Sequence, residues 1–418
     1  MKAEIICIGT ELLLGNIVNT DATDVAQALS ELGISVYRYT VVGDNPERLT
    51  EVVQSAAKRA DLLITTGGLG PTLDDLSKET VAAALGRKLV RHPECEAEIR
   101  AYFDRTGSVM SPNNLRQAML PEGCTVLQNA WGTAPGCVFT SDDGVKVIML
   151  PGPPRECRAM LRYRVVPYLK NLTGQTIHSR YLHIFGMGES AVEAKLHDLM
   201  ECSSNPTVAP YAKEGEVMLR ITAAAEDEAA AERMIEPMAA EIRSMLGDLI
   251  YTEEYENLEQ TCLALLKQAG ATFAAAESCT GGYVSKRITD IAGSSSVFRG
   301  GIVAYTPFAK QELLGVPAEL IERCGVVSQE VAEAMACGVR KRMDAAYGVG
   351  ITGLAGPDGD GSDNPVGLVY VSLTDGQRCW TRRLQLTGER ERIRYIASHH
   401  AFDMLRRAIT GISVEKYR

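Results

Sequence analysis

The chain has 418 residues, 45% of them hydrophobic and 23% charged, and carries a net charge of −10. At roughly 100–200 residues per domain, that length predicts two to four domains. The composition excludes a wholly disordered chain, and no apolar run reaches the ~20 residues of a membrane-spanning helix. The acidic balance argues against a general nucleic-acid or membrane-surface binder. Met1-Lys2-Ala3-Glu4-Ile5-Ile6-Cys7 enters a strand-like run at once and does not read as a signal peptide. The 11 cysteines are scattered and form no C-x-x-C pair, which predicts free thiols in a reducing cytoplasm and no His/Cys metal centre.

In chain order, residues 1–170 alternate short β-rich runs with helical patterns. Ala3–Ile8, Ile34–Val42, Asp61–Thr66 and Val145–Leu150 read as strands. Asn19–Leu32 has helical spacing, with Asn19, Thr20 and Asp21 as cap candidates. Such alternation predicts an α/β, doubly wound parallel-sheet domain. Ligands of these sheets sit beyond the carboxyl ends of the strands, which points to Gly9-Thr10-Glu11 and Gly67-Gly68-Leu69-Gly70. Residues 171–252 read as a small α+β connecting domain, with a hairpin around Lys213-Glu214-Gly215 and a helix over Glu226–Leu246. Residues 253–418 return to an α/β pattern. Glu253-Glu254-Tyr255-Glu256 is the expected linker, Ala271–Ala276 a strand, Ser328–Met343 an amphipathic helix and Glu389–Ile409 the last helix.

Two loops carry chemistry. In Thr65-Thr66-Gly67-Gly68-Leu69-Gly70-Pro71-Thr72-Leu73-Asp74-Asp75, glycines after a buried strand let backbone N–H groups approach an anion. The paired Asp74 and Asp75 suit a divalent cation beside it. A tight strand-to-helix turn with one of these aspartates as cap fits the same residues. In Ala276-Glu277-Ser278-Cys279-Thr280-Gly281-Gly282, a strand opens into a helix, placing Ser278 beside free N–H groups able to stabilise an oxyanion. Serine needs a base, and a desolvated lysine can serve; Lys310 is the candidate. Cys279 is an alternative nucleophile. A plain helix cap at Ser278 or Thr280, with Lys310 in solvent, fits as well.

These motifs carry a resemblance. The glycine loop, with Gly9-Thr10-Glu11-Leu12-Leu13-Leu14-Gly15-Asn16, Asn129–Gly136 and Leu150–Glu156, resembles the CinA family, whose N-terminal domain is similar to molybdopterin-binding proteins of the MoaB/MogA kind. The resemblance implies metal-dependent ADP-ribose pyrophosphatase activity there, with Gly67, Gly68, Gly70 and Thr72 at phosphate and Asp74 and Asp75 at a Mg, Mn or Co type ion. A non-catalytic pterin- or nucleotide-binding module, or a competence-associated interaction protein, are the alternatives. Gln128 departs from the proline usual before the Asn129–Gly136 run.

Leu258–Leu405 resembles the family's C-terminal domain through Ala276–Gly282, Asp290–Ser295, Phe298–Tyr305 with Lys310, Gly325–Ser328, Thr352–Pro357, Pro365–Tyr370 and Gly388-Glu389-Arg390. Relatives of that domain are nicotinamide-nucleotide amidases of the PncC type. This implies deamidation of nicotinamide mononucleotide in pyridine-nucleotide recycling, with no cofactor. Ser278 and Lys310 would be catalytic. Glu277, Cys279, Thr280, Gly281, Gly282, Tyr305, Thr352, Gly353 and Arg390 would bind substrate, with Arg390 on the phosphate and Arg394 a second candidate for it. A cytoplasmic homodimer with small nucleotides as partners, no stable nucleic-acid binding and no membrane is expected. The departures are Thr306-Pro307-Phe308 between Tyr305 and Lys310, and a loop, residues 357–364, that is unusually acidic and lacks the common lysine before Pro365.

Overall fold

Lys2–Ile8 (β1) is buried at six consecutive positions, the mark of a strand covered on both faces. Its neighbours in a six-stranded sheet are Ser35–Val42 (β2) and Leu62–Thr66 (β3), both parallel to it. A separate antiparallel pair joins Leu89–Arg91 (β4) to Met119–Pro121 (β5). Thr125–Leu127 (β6), Gly136–Thr140 (β7) and Lys146–Leu150 (β8) complete the main sheet in the order β2-β1-β3-β8-β7-β6. The expected parallel pairing therefore holds for β2, β1, β3 and β8, while β7 pairs antiparallel with both β8 and β6. The links between β6, β7 and β8 are too short for a crossover helix, so these strands return as hairpins. Ile6, Ile8 and Leu63 face one core and Ala3, Ile5, Cys7 and Ile64 the other, the period of two that a sheet with helices on both faces requires.

The structure, a computed structural model, describes residues 1–173 and 176–415. The chain divides into two compact units, Met1–Ser179 with Ala223–Met234, and Arg180–Thr222 with Ile235–Arg418. Thr176–Ile184 (β9), Thr207–Lys213 (β10), Glu216–Ala225 (β11) and Ile250–Thr252 (β12) form a sheet ordered β10-β11-β9-β12. The expected hairpin is β10/β11. Glu253-Glu254-Tyr255-Glu256 lies inside the second unit, where the Thr252 hydroxyl accepts the N–H groups of Glu254 and Tyr255.

In the rest of that unit Phe273–Glu277 (β13) is buried throughout. It sits between Phe298–Val303 (β14) and Tyr347–Gly353 (β15), parallel to both. Leu368–Thr374 (β16) and Cys379–Gln385 (β17) continue the sheet antiparallel. Phe273 and Ala275 pack with the helices Leu258–Ala269 and Arg390–Thr410, and Ala274 and Ala276 with the helix Gln329–Arg342. Both sheets share one consequence. The first strand of each, β1 and β13, has its successors on opposite sides, so the chain changes direction beyond its carboxyl end. That opens the crevice where open α/β sheets take ligands.

Candidate active site

The loop after β13 carries Ser278, whose N–H donates to Ile351 O at 3.0 Å and so ties it to the neighbouring strand β15. Lys310 stands on the helix Pro307–Leu314. Thr306 caps that helix through the Ala309 N–H, and Pro307 occupies its first turn, where a proline fits a helix. The altered Thr306-Pro307-Phe308 thus builds a sound helix start and leaves Lys310 pointing inward. The residue is 1% exposed, and Nζ donates to Ser278 Oγ at 2.9 Å and to Ala304 O at 2.8 Å. Burial lowers the Lys310 pKa to about 8, so the neutral amine that a base requires is populated near neutral pH. Burial pushes the Cys279 thiol up to about 12, which keeps it protonated and a poor nucleophile.

The cleft above Ser278 has a volume of about 230 Å³. Ser278, Cys279, Tyr305, Lys310, Thr352, Gly353 and Arg390 all line it, together with Pro307, Val326, Val327, Asp358 and Asp360. Arg390 sits at its rim, donating to Gly356 O at 2.6 Å and to the exposed Tyr305 hydroxyl at 3.0 Å. Thr352 is buried and donates to Val326 O at 2.8 Å. Asp358 and Asp360 bring the acidic loop to the cleft.

Four residues expected at substrate, Glu277, Thr280, Gly281 and Gly282, do not line the cleft with their side chains. The carboxylate of Glu277 is fully buried and turned into the protein, accepting the N–H groups of Gly282, Val284 and Ser285 and the Ser285 hydroxyl at 2.7–3.1 Å. It pins the helix start instead of facing the cleft. Thr280 is buried with its hydroxyl unpartnered. Gly281 donates to Ser278 O, and its positive φ of +59 forms the turn. A Cβ there would come within 3.2 Å of Arg394 Nη2. Gly282 donates to Glu277. Arg394 is also not among the residues lining the cleft.

The second crevice, about 480 Å³, opens beyond β1 and β3. Gly67, Gly68, Gly70, Asp74 and Asp75 line it; Thr72 does not, but its N–H bonds the Asp75 carboxylate at 2.9 Å, as its hydroxyl does. Gly67 has φ +96, and a Cβ on it would fall 2.1 Å from Ile8 O, so only glycine permits this turn. The following helix starts at Ser77 after Leu76, and neither aspartate caps it. Glu11, Asp21, Asp44 and Glu156 also line the crevice. Asp44, which fixes Thr10 through its N–H at 2.8 Å and its hydroxyl at 2.9 Å, follows β2, and the carboxyl-end rule applied to that strand would have found it. Burial raises Asp21 to about 6 and raises Glu156. Among the described residues no three His, Cys, Asp or Glu side chains converge as a metal cage.

Comparison with known proteins decides the family. The domain described as "Probable molybdopterin binding domain" matches residues 4–171, "Damage-inducible protein CinA KH domain" residues 179–252, and "CinA C-terminal domain" residues 255–409. A CinA-like protein of Kosmotoga olearia is 48% identical over 409 residues, 98% of this chain and 99% of its own length. The chain belongs to the CinA family. A second CinA-like protein, from Dictyoglomus thermophilum, is 46% identical over 413 residues, 99% of this chain and 100% of its own. The crystal structure of a CinA protein from Thermoplasma acidophilum is 35% identical, with a TM-score of 0.36, over 38% of this chain and 94% of that one. The CinA-family chain thus joins a molybdopterin-binding-type domain to a CinA C-terminal domain. Among its described residues no helix is long and apolar enough to cross a membrane.

Proposed function

We propose that the C-terminal domain hydrolyses the carboxamide of nicotinamide mononucleotide to nicotinic acid mononucleotide and ammonia. The observation that carries this reading is the buried Lys310 Nζ hydrogen-bonded at 2.9 Å to Ser278 Oγ. Neutral Lys310 takes the hydroxyl proton as Ser278 Oγ bonds to the carboxamide carbon. The N–H groups of Cys279 and Thr280 donate hydrogen bonds to the carbonyl oxygen as it gains charge. The C–N bond then breaks, and the proton passes from Lys310 to the departing nitrogen, giving ammonia. Water, deprotonated by Lys310 in turn, cleaves the ester and restores Ser278.

The charges of the cleft support this substrate. Arg390 offers a guanidinium for a phosphate, while Asp358 and Asp360 offer carboxylates for a cation. A pyridinium nucleotide carries both. Its acid product carries one more negative charge beside the aspartates and is released the more readily. The test is incubation of the full-length protein with nicotinamide mononucleotide and EDTA. Equal amounts of ammonia and nicotinic acid mononucleotide are expected, and no ammonia with this substrate would end the reading.

A second reading concerns the N-terminal crevice, which we propose takes a nucleotide diphosphate, ADP-ribose in the leading case, together with a divalent cation. Six carboxylates line it, Glu11, Asp21, Asp44, Asp74, Asp75 and Glu156, with no lysine or arginine among the lining residues. A diphosphate enters such a field only with its charge offset. Asp74 and Asp75 would hold a hydrated ion through one or two carboxylates, the manner of Mg²⁺ rather than of a closed cage. When bound, the ion polarises the diphosphate. ADP-ribose cleavage should require added Mg²⁺, Mn²⁺ or Co²⁺ and stop with EDTA, whereas ammonia release should not. Tight binding without cleavage would leave the domain a binding module.

A further inference from the structure

Arg394 lies one turn beyond Arg390 on the last helix, yet it is not among the residues lining the cleft and meets the Ser278 loop from behind. Its Nε donates to Cys279 O at 3.2 Å and its Nη2 to Thr280 O at 2.8 Å. Nη1 is held by Glu391 at 3.4 Å, and the guanidinium lies over the Tyr283 ring at 5.3 Å. In a planar trans peptide the C=O and the next N–H point in opposite directions. Fixing Cys279 C=O behind the loop therefore turns the Thr280 N–H forward, to the side where Cys279 and Ser278 border the cleft. The preceding peptide is fixed in the same way, because Ser278 O accepts the Gly281 N–H at 3.0 Å and leaves the Cys279 N–H facing the other way. The Gly282 N–H is engaged by Glu277; neither the Cys279 nor the Thr280 N–H donates to a backbone carbonyl, and the acceptor within reach of both is the Cys279 sulfur, on a residue that borders the cleft.

From this we infer that Arg394 is a positioning residue: it aims the N–H groups that receive the oxyanion and does not bind the substrate phosphate. The inference rests on the amidase reading of the same cleft. Two arginines four residues apart on one helix then have separable roles, Arg390 in binding and Arg394 in turnover. Losing one oxyanion donor costs about 10²–10³-fold in kcat in a well-studied hydrolase, and a misaimed donor costs less.

The experiment is steady-state ammonia release from nicotinamide mononucleotide by full-length wild type, Arg394→Ala, Arg394→Lys and Arg390→Ala. Arg394→Ala should lower kcat about 10- to 100-fold with KM within about twofold and the pH midpoint of activity unmoved. Arg394→Lys, able to hold one carbonyl, should recover part of kcat. Arg390→Ala should chiefly raise KM. Thermal melts of each variant separate lost folding from lost turnover, and the lysine variant keeps the test alive if the alanine variant does not fold. A raised KM with unchanged kcat in Arg394→Ala, or unchanged kcat and KM together, would overturn the inference while leaving the amidase reading intact. Silence of the wild type would instead remove that reading and this one with it.

Discussion

Lys310 is active in the proposed mechanism only when neutral. With its pKa lowered to about 8 by burial, kcat/KM should climb about tenfold per pH unit below 8 and level off above it. The Cys279 thiol beside it, raised to about 12, stays protonated over that range and adds no second limb. Cys279→Ser should accordingly keep most of the activity; abolition of turnover by this change would move the nucleophile from oxygen to sulfur. The same lysine shapes stability. Its folded pKa lies below the unfolded value of about 10.5, so between about pH 8 and 10.5 the unfolded chain binds more protons and stability rises with pH. Lys78, also buried and lowered to about 8, adds a contribution of the same sign in the other unit, so melting reports both lysines and activity reports Lys310 alone. Lys310→Met should lose turnover without lowering the melting temperature. The residues alone offered Ser278 and Lys310 as one of two readings, and the family resemblance chose between them. Sequence could not tell Arg390 from Arg394, because both stand one turn apart on one helix and only the loop packed against them separates rim from support.

At the scale of elements, one cap was legible: Asn19 accepts a backbone N–H at a helix start, as a short polar side chain before an apolar period announces. Thr306 and Ser328 cap their helices in the same way without having been singled out. The antiparallel ends of both sheets were not legible, since hairpin return and parallel crossover share the same strand pattern until loop length and pairing partners are known. Glu277 shows a different limit. Its place beside Ser278 in the motif suggests substrate contact, but strand alternation turns it to the opposite face, where it gathers three N–H groups and a hydroxyl. Removing it strands buried donors at ~1–3 kcal/mol each. Glu277→Ala should therefore melt markedly lower and turn over slowly, with Glu277→Gln intermediate on both counts. A Glu277→Ala protein of wild-type stability but raised KM would return this residue to the substrate.

At the scale of the whole chain, the final helix is held by a charge cluster that no motif announces. Asp403 is fully buried and meets Arg406 at 2.7 Å, Arg382 at 2.9 Å and Arg407 at 3.0 Å. Burial alone would raise its pKa, but the three arginines outweigh that and hold it at about 2. Its contribution is present above about pH 4 and is lost as pH falls towards 2. Breaking a buried pair from one side costs about 3–5 kcal/mol, so Asp403→Ala should destabilise by that order in denaturant unfolding; a change below about 1 kcal/mol would mean the arginines find other acceptors. Since this helix also carries Arg390 and Arg394, a loosened Asp403 variant should lose amidase turnover before it unfolds. The central claim is that Ser278 does the chemistry of this chain's C-terminal cleft, and the most direct measurement is ammonia release from nicotinamide mononucleotide by Ser278→Ala beside wild type, at matched folding and with EDTA present. The expected result is turnover by wild type and a loss of roughly 10⁴-fold or more in the variant; undiminished ammonia release from Ser278→Ala would contradict it.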